Sequence, residues 1–341
     1  MIYYLVTRQG RDMAYMYLAS SGRRYMGRFR PVLYDAALKQ DEYPPGVYVF
    51  SDLERLSAST RQAAGRLWQR LRERAPEYQL LNHPTRSLCR HDLLAHLADE
   101  GINQHRAYRI TETVTPKRFP VFLRGEDDHD GTQSALLTDQ AELDAELAQL
   151  RRRGVDLTGW LIVEFHDTAD ADGLYRCYSS FIVGDRVIPH HLMFSRGWVI
   201  KSQKAWDDAC LEEEMQYMRT NPHRDELLRI FQMAQIELGR IDYALDGDRL
   251  EVWEINTNSA IMTPGALREG ARVAVHEHFN AAFNRAIDEL LNGSAAAPSN
   301  QKMGPVERLH THGHIAYERF RETGLGSRLR RLRRRLRGEP G

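Results

Sequence analysis

The sequence predicts an α/β chain of mixed type: an N-terminal α/β domain, a compact middle unit, and a C-terminal antiparallel-sheet domain. Three observations predict it. The apolar runs Ile2–Val6 and Val47–Phe50 precede a segment, Ala58–Glu73, whose Ala63, Leu67 and Leu71 recur at helical spacing. Farther on, Tyr175–Val183 and Arg186–Pro189 flank Gly184-Asp185, a two-residue hairpin signal. Ile241–Leu245 and Leu250–Ile255 flank Asp246-Gly247-Asp248 in the same way.

Taken in order, residues 1–108 form the first domain, with a further short strand at Leu80-Leu81-Asn82 and a helix over Arg90–Asp99 that Glu100-Gly101 stops. Residues 109–165 form a compact second unit. Phe119–Leu123 is a strand, Gly125–Gly131 a Gly/Asp-rich loop, and Ser134–Leu137 its hairpin partner. Thr138-Asp139 caps a helix through Arg152, with Leu143, Leu147 and Leu150 on one face, and Trp160–Phe165 is β-like. Residues 166–292 hold the hairpins, a helix over Asp225–Leu238 and a long amphipathic helix over Gly265–Leu291. Residues 293–341 read as linker and basic tail.

Composition narrows the function. The chain has 341 residues, 42% hydrophobic and 28% charged, which suits two or three ordinary globular domains. No apolar run approaches the ~20 residues of a membrane span, and the first residues show no secretory pattern. Cys89, Cys177 and Cys210 lie far apart without a CxxC, which excludes a cysteine zinc site and predicts a reducing, cytoplasmic setting. Seven arginines against the single acid Glu339 give the last residues a charge of +6, leaving the body at −6. An acidic body argues against a nucleic-acid-binding core. The tail places Leu329, Leu332 and Leu336 among arginines, a pattern compatible with an anionic membrane surface, RNA or an acidic partner.

The chemistry concentrates in Gly239-Arg240-Ile241-Asp242 and Glu254-Ile255-Asn256-Thr257. Strand alternation puts Arg240 and Asp242 on one face, and Glu254 and Asn256 on one face of the next strand. For the two carboxylates to meet, the hairpin needs an odd loop, such as Gly247–Arg249; an even loop sends them to opposite faces. Two carboxylates and an amide are hard oxygen donors that suit Mg²⁺. Residue types alone leave a solvated polar hairpin open as the alternative.

Gly-Arg-Ile-Asp, a short Asp-Gly turn and Glu-Ile-Asn-Thr resemble the C-terminal metal hairpin of the ATP-grasp superfamily, which includes D-alanine–D-alanine ligase and glutathione synthetase-like carboxylate–amine ligases. The resemblance covers roughly Tyr4–Leu291 and implies that residues 109–165 are the lid of an ATP-grasp fold. It implies that Asp242, Glu254 and Asn256 hold one or two Mg²⁺ (or Mn²⁺) on the phosphates of ATP, with Arg240 stabilising the transferring phosphoryl group. The strand ending in Arg124 resembles the one that carries a phosphate-binding lysine, and Gly125–Gly131 the loop over the phosphates. Leu161–His166, with Glu164 and Phe165, resembles the hinge whose backbone reads adenine. Arg176 matches a strand arginine that reaches substrate or phosphate. Two departures stand out: arginine replaces the strand lysine, and the helix near Arg90 carries no lysine.

The implied reaction is amide formation through an acyl phosphate, with release of ADP and phosphate, from small-molecule acid and amine substrates. Glu254→Ala is then expected to abolish turnover and leave the fold intact. The alternative is a non-catalytic nucleotide-binding module whose tail tethers a partner or a membrane surface. The acidic loop around His129 either binds metal, faces a cationic amine, or is solvated. His276-Glu277-His278 has the wrong spacing for a metal pair on a helix; His310, His312 and His314 read as linker; one of His190 and His191 is a candidate substrate contact; Cys177 reads as core. No GxSxG, Walker A or strand-linked GxGxxG is present.

Overall fold

The computed structural model describes residues 1–110, 115–127, 131–200, 207–261 and 272–293. The Arg-rich tail, its histidines, Asp128, His129 and Asp130 lie outside the described residues, as does the start of the long helix expected from Gly265. Contacts divide the chain into two compact units. The first gathers Met1–Val49, Arg70–Leu80 and the described part of Asn258–Gly341; the second gathers Phe50–Gln69 and Leu81–Thr257. This grouping is not the linear division at 108, 165 and 292.

The first unit is built on a four-stranded sheet of order β2-β1-β3-β4, from β1 (Ile2–Val6), β2 (Phe29–Leu33), β3 (Gly46–Phe50) and β4 (Tyr78–Leu81). β1 and β3 are buried at every position, as central strands covered on both faces must be, and β1 runs parallel to β2. Helix α1 (Arg11–Ala19), the short α2 (Tyr34–Ala37) and part of α3 (Ala58–Arg72) follow these strands. α1 buries Ala14, Tyr17 and Leu18, a helical spacing masked in the sequence by Met13, Tyr15 and Met16 on its other sides. The last helix of the described chain, α8 (Val273–Gly293), belongs to this first unit. Tyr17 Oη donates to Asn284 Oδ1 at 2.7 Å, Tyr25 Oη to the Asn284 carbonyl at 2.6 Å, and Arg24 pairs with Asp288 at 2.6 Å. In α8, His276 is buried and His278 exposed, so the two do point apart.

The second unit holds two antiparallel sheets. A three-stranded sheet of order β5-β7-β6 uses β5 (Ala107–Arg109), β6 (Val121–Gly125) and β7 (Trp160–Glu164). On one face, Val121, Leu123 and Ile162 pack against Leu143, Leu147 and Leu150 of α5 (Gln140–Arg152). On the other, Phe122, Leu161 and Val163 pack against Leu94 of α4 (Arg90–Asp99). Ser134–Leu137 is not a full strand: it meets β6 through the bridge Val121↔Leu137 and through Ser134 Oγ, which accepts from Leu123 N at 2.9 Å, with a second bridge at Arg124↔Thr132. Asp139 caps α5, its Oδ1 accepting from Glu142 N at 2.9 Å. Asp139→Ala is expected to cost about 1 kcal/mol, measured as a drop of a few degrees in the thermal midpoint.

The other sheet, of order β11-β10-β8-β9, comprises β8 (Tyr175–Val183), β9 (Arg186–Ser195), β10 (Leu238–Asp246) and β11 (Arg249–Asn256). β9 runs six residues past the expected stop at Pro189, because it is an edge strand and proline's missing N–H costs no ladder bond there. Helix α6 (Asp208–Thr220), absent from the sequence reading, buries Cys210, Glu214, Tyr217 and Met218; the glutamate interrupts the apolar stripe that would have marked it. Glu214 Oε1 accepts from Leu192 N at 3.1 Å, which explains its burial. α7 (Arg224–Ala234) ends four residues short of Leu238, at Gln235 in a left-handed conformation.

Candidate functional site

The terminal hairpin brings its polar residues together by a route other than the expected one. Asp246 pairs with Arg249, so the loop has two residues, Gly247-Asp248, with Gly247 at φ +60°. An even loop would separate the carboxylates. The register instead slips between Asp242 and Tyr243, passing over Trp253, and this bulge sets Asp242 opposite Glu254 and Arg240 opposite Asn256. Trp253 packs on the His105 ring at 4.8 Å between centroids.

Around this rung the charges pair closely. Arg240 grips Asp242 with two hydrogen bonds, Nε to Oδ1 at 2.9 Å and Nη2 to Oδ2 at 2.7 Å, and Ser179 Oγ also donates to Asp242 Oδ1. Glu254 Oε1 accepts from Asn256 at 2.7 Å, while Oε2 accepts from Arg124 at 2.8 Å and from Arg90. Burial raises Asp242 above the usual carboxylate range against the pull of Arg240, and the charge on Glu254 adds to the rise. Burial also works against the Arg240 cation, but Asp242 and Glu254 outweigh it and the net shift is upward.

Each arginine has a structural reason to be there. Arg124 lies on the same face of β6 as Phe122, the face turned toward α4. Arg90 opens α4 on the side of its buried Leu93, Leu94 and Leu97, with a side chain only 5% exposed. It also donates to the carbonyls of Gly125 and Glu126 at 2.8 and 2.7 Å, and so ties the end of β6 to the hairpin. Beyond α4, Asn103 acts as a surrogate strand partner for Val252, donating to its carbonyl and accepting from its N–H at 2.9 and 3.0 Å. Asn82, at φ +61°, does the same for β10, with bonds to Glu237 N and to the N–H and carbonyl of Leu238.

The described part of the acidic loop is neutralised from within. Glu126 accepts from Arg109 Nε and Nη2 at 3.0 and 2.8 Å. Burial works to raise the Glu126 carboxyl, yet Arg109 and Cys89 hold it below the ordinary range. Burial, with Glu126 and Asp92 beside it, pushes the Cys89 thiol up to about 12, which removes it as a thiolate nucleophile. Arg90, Glu126 and Asn256 line a small pocket with Glu54, Cys89 and Thr257. Glu54 closes the pocket's wall by accepting from Thr257 Oγ1 at 2.6 Å.

Not every predicted site residue joins the cluster. Arg176 bonds to Glu213 at 2.7 Å and to Asp170 at 2.6 Å. Strand alternation from Ser179 puts it on the sheet face that α6 covers, opposite to Asp242. Glu164 spends its buried carboxylate on Arg106 N, Tyr108 Oη, Lys117 N and Arg118 N, and the Phe165 N–H donates to the Pro120 carbonyl at 2.8 Å. Both are engaged inside their own sheet. Gly125 holds Arg90 through its carbonyl, and Gly131 adopts φ +83°. Sequence reasoning missed Arg90, Ser179 and Arg109. The available signal for Arg90 was a cation set three residues before Leu93 on an otherwise apolar helix face.

No protein-family model matches the chain, and no curated protein does. Solved structures that it is similar to include a D-alanine–D-alanine ligase from Bacillus anthracis complexed with ATP, at 12% identity over 86% of this chain and 98% of that chain, with a TM-score of 0.48. An L-amino acid ligase from Bacillus licheniformis matches at 10% identity, 87% and 77% coverage and a TM-score of 0.40. A RimK domain ATP-grasp protein from Sphaerobacter thermophilus matches at 14% identity, 86% and 100% coverage and a TM-score of 0.46. Among the described residues, no helix is long and apolar enough to cross a membrane.

Proposed function

We propose that the chain is an ATP-dependent carboxylate–amine ligase. The observation that supports this best is the single rung on which Asp242 faces Glu254, with Arg240, Arg124 and Arg90 converging on the two carboxylates. Three cations against two carboxylates leave a surplus positive charge, suited to polyphosphate. The donor set also fits Mg²⁺ chemically: two opposed carboxylates and the Asn256 amide beside them are hard oxygen ligands. Among the described residues no group of three His, Cys, Asp or Glu side chains is placed to hold a metal; in this reading the third donor is the Asn256 amide. When bound, one or two Mg²⁺ at Asp242, Glu254 and Asn256 would neutralise phosphate charge.

In the reaction, an oxygen of the substrate carboxylate attacks the γ-phosphorus of ATP and ADP leaves. The amine nitrogen then attacks the acyl carbon of the acyl phosphate, loses a proton, and inorganic phosphate departs. The chain supplies position and charge for this sequence. Arg124 has the planar fork that phosphate recognition needs, and at 13% side-chain exposure it competes little with water. Arg240, held bidentately by Asp242, presents a fixed positive charge beside the same rung.

Thermal stability measured with ATP, with Mg²⁺ and with both tests this reading. A ligand of the native state raises the midpoint by mass action, so a shift that needs both components, followed by ADP release with an acid and amine pair, is the expected result. A shift without ADP release for any pair would favour the non-catalytic module, and no shift would remove the nucleotide site.

A further inference from the structure

The rung that carries Asp242 and Glu254 continues across the whole sheet. Ser179 on β8 pairs with Asp242, and His191 on β9 pairs with Ser179, so His191, Ser179, Asp242 and Glu254 stand in one row over four strands. Hydrogen bonds join the first three members of the row. His191 Nε2 meets Ser179 Oγ at 2.9 Å, and Ser179 Oγ donates to Asp242 Oδ1. Ser179 is fully buried, and the second ring nitrogen of His191 meets His190 Nδ1 at 2.9 Å.

Both outer members reach the row through a bulge. Near its turn, β9 keeps the register that pairs Ser180 with Pro189, which would bring His190 opposite Ser179; a slip of one residue brings His191 instead. On the far side, β11 slips at Trp253 and brings Glu254 opposite Asp242. A one-residue slip turns a side chain to the other face of a sheet. Two separate slips that deliver a histidine and a glutamate to the same row are the device by which strands re-aim residues at sites.

The proton inventory gives the chain a direction. Arg240 keeps Asp242 an acceptor, so the single Ser179 proton goes to Asp242. Ser179 must then accept from His191 Nε2–H. We propose that His191 is a positioning residue that fixes the Asp242 carboxylate through Ser179, from the β8 side, while Glu254 stands on the β11 side. Its bearing on the metal rests on the ligase reading above. Partners behind a metal ligand orient it and tune its affinity.

Two readouts test it on the full chain. In the first, ATP is held fixed and Mg²⁺ titrated while the thermal midpoint is followed. Ser179→Ala and His191→Phe are expected to raise the half-saturating Mg²⁺ about tenfold, leaving stabilisation by ATP in EDTA unchanged, with Ser179→Thr and His191→Gln recovering most of the loss. A lower midpoint in every variant with an unchanged Mg²⁺ requirement would mean a purely structural row and overturn the proposal. In the second, ring nitrogen NMR signals should show His191 with its proton on Nε2 in the wild type and a mixture of tautomers in Ser179→Ala. Identical signals in the two would overturn the chain without reference to nucleotide. A wild type indifferent to MgATP but with His191 signals responsive to Ser179 would fault the ligase reading and leave the positioning chain standing.

Discussion

Glu254→Gln is expected to lower Mg²⁺-dependent ATP turnover by roughly 10²–10³-fold, the scale seen when a charge-stabilising group is removed from a polar active site, while the protein stays folded. Glu254→Ala should lose turnover as well, but it should also unfold several degrees earlier. The difference lies in what Glu254 does in the absence of ligand. Its Oε2 is shared by Arg90 and Arg124, whose side chains are 5% and 13% exposed, so it is the counter-ion of a largely buried arginine pair. Alanine leaves two like charges close together without that carboxylate, a loss of about 3 kcal/mol on the scale of broken buried pairs. Glutamine keeps an oxygen to accept from the arginines and removes only the charge. Glutamine is therefore the variant that separates chemistry from stability. Thermal midpoints and ADP release for both variants settle it: turnover near the wild-type rate in Glu254→Gln would remove Glu254 from the site.

The strands and helices with clean periodicity were legible in advance. Ile2–Val6, Arg90–Asp99 and Tyr175–Val183 stand where the apolar spacing puts them, and Asp139 caps the helix that follows it. What stayed hidden was hidden for identifiable physical reasons. α6 carries a buried glutamate on its apolar stripe, and β9 continues through a proline because it lies at an edge. The facing of Asp242 and Glu254 was readable from the spacing of their motifs, but its cause was not. Loop parity was assigned to the turn, whereas the odd residue is Trp253 in the strand itself, and nothing local in the sequence marks a bulge held by packing on His105. Arg176 was read by its place in a strand, and strand alternation then put it on the helix-covered face with Glu213 and Asp170.

Arg90 is the residue for which sequence and structure differ most, and it gives the other large expected effect. The sequence marks it only as the start of a helix that carries no lysine. In the folded chain its guanidinium holds three acceptors from different elements: the Gly125 and Glu126 carbonyls at the end of β6, and Glu254 on β11. A planar fork with several donors can satisfy all three, whereas a lysine ammonium on a flexible stem is a point charge. Arg90→Met, close in volume but without donors, is expected to cost roughly 3–5 kcal/mol, because two buried carbonyls and a carboxylate lose a donor together. It should abolish ATP turnover too, since the loop after β6 is no longer tied to the hairpin. Arg124→Lys is the informative contrast. Arg124 donates to Glu254 through Nη2, a bond an ammonium can also make, so that variant should lose less stability than Arg90→Met and retain measurable turnover. Denaturant midpoints with ADP release would decide between them. Equal losses in the two variants would show that Arg90 is no more than another cation near Glu254, and that β6 and the hairpin are held together by other means.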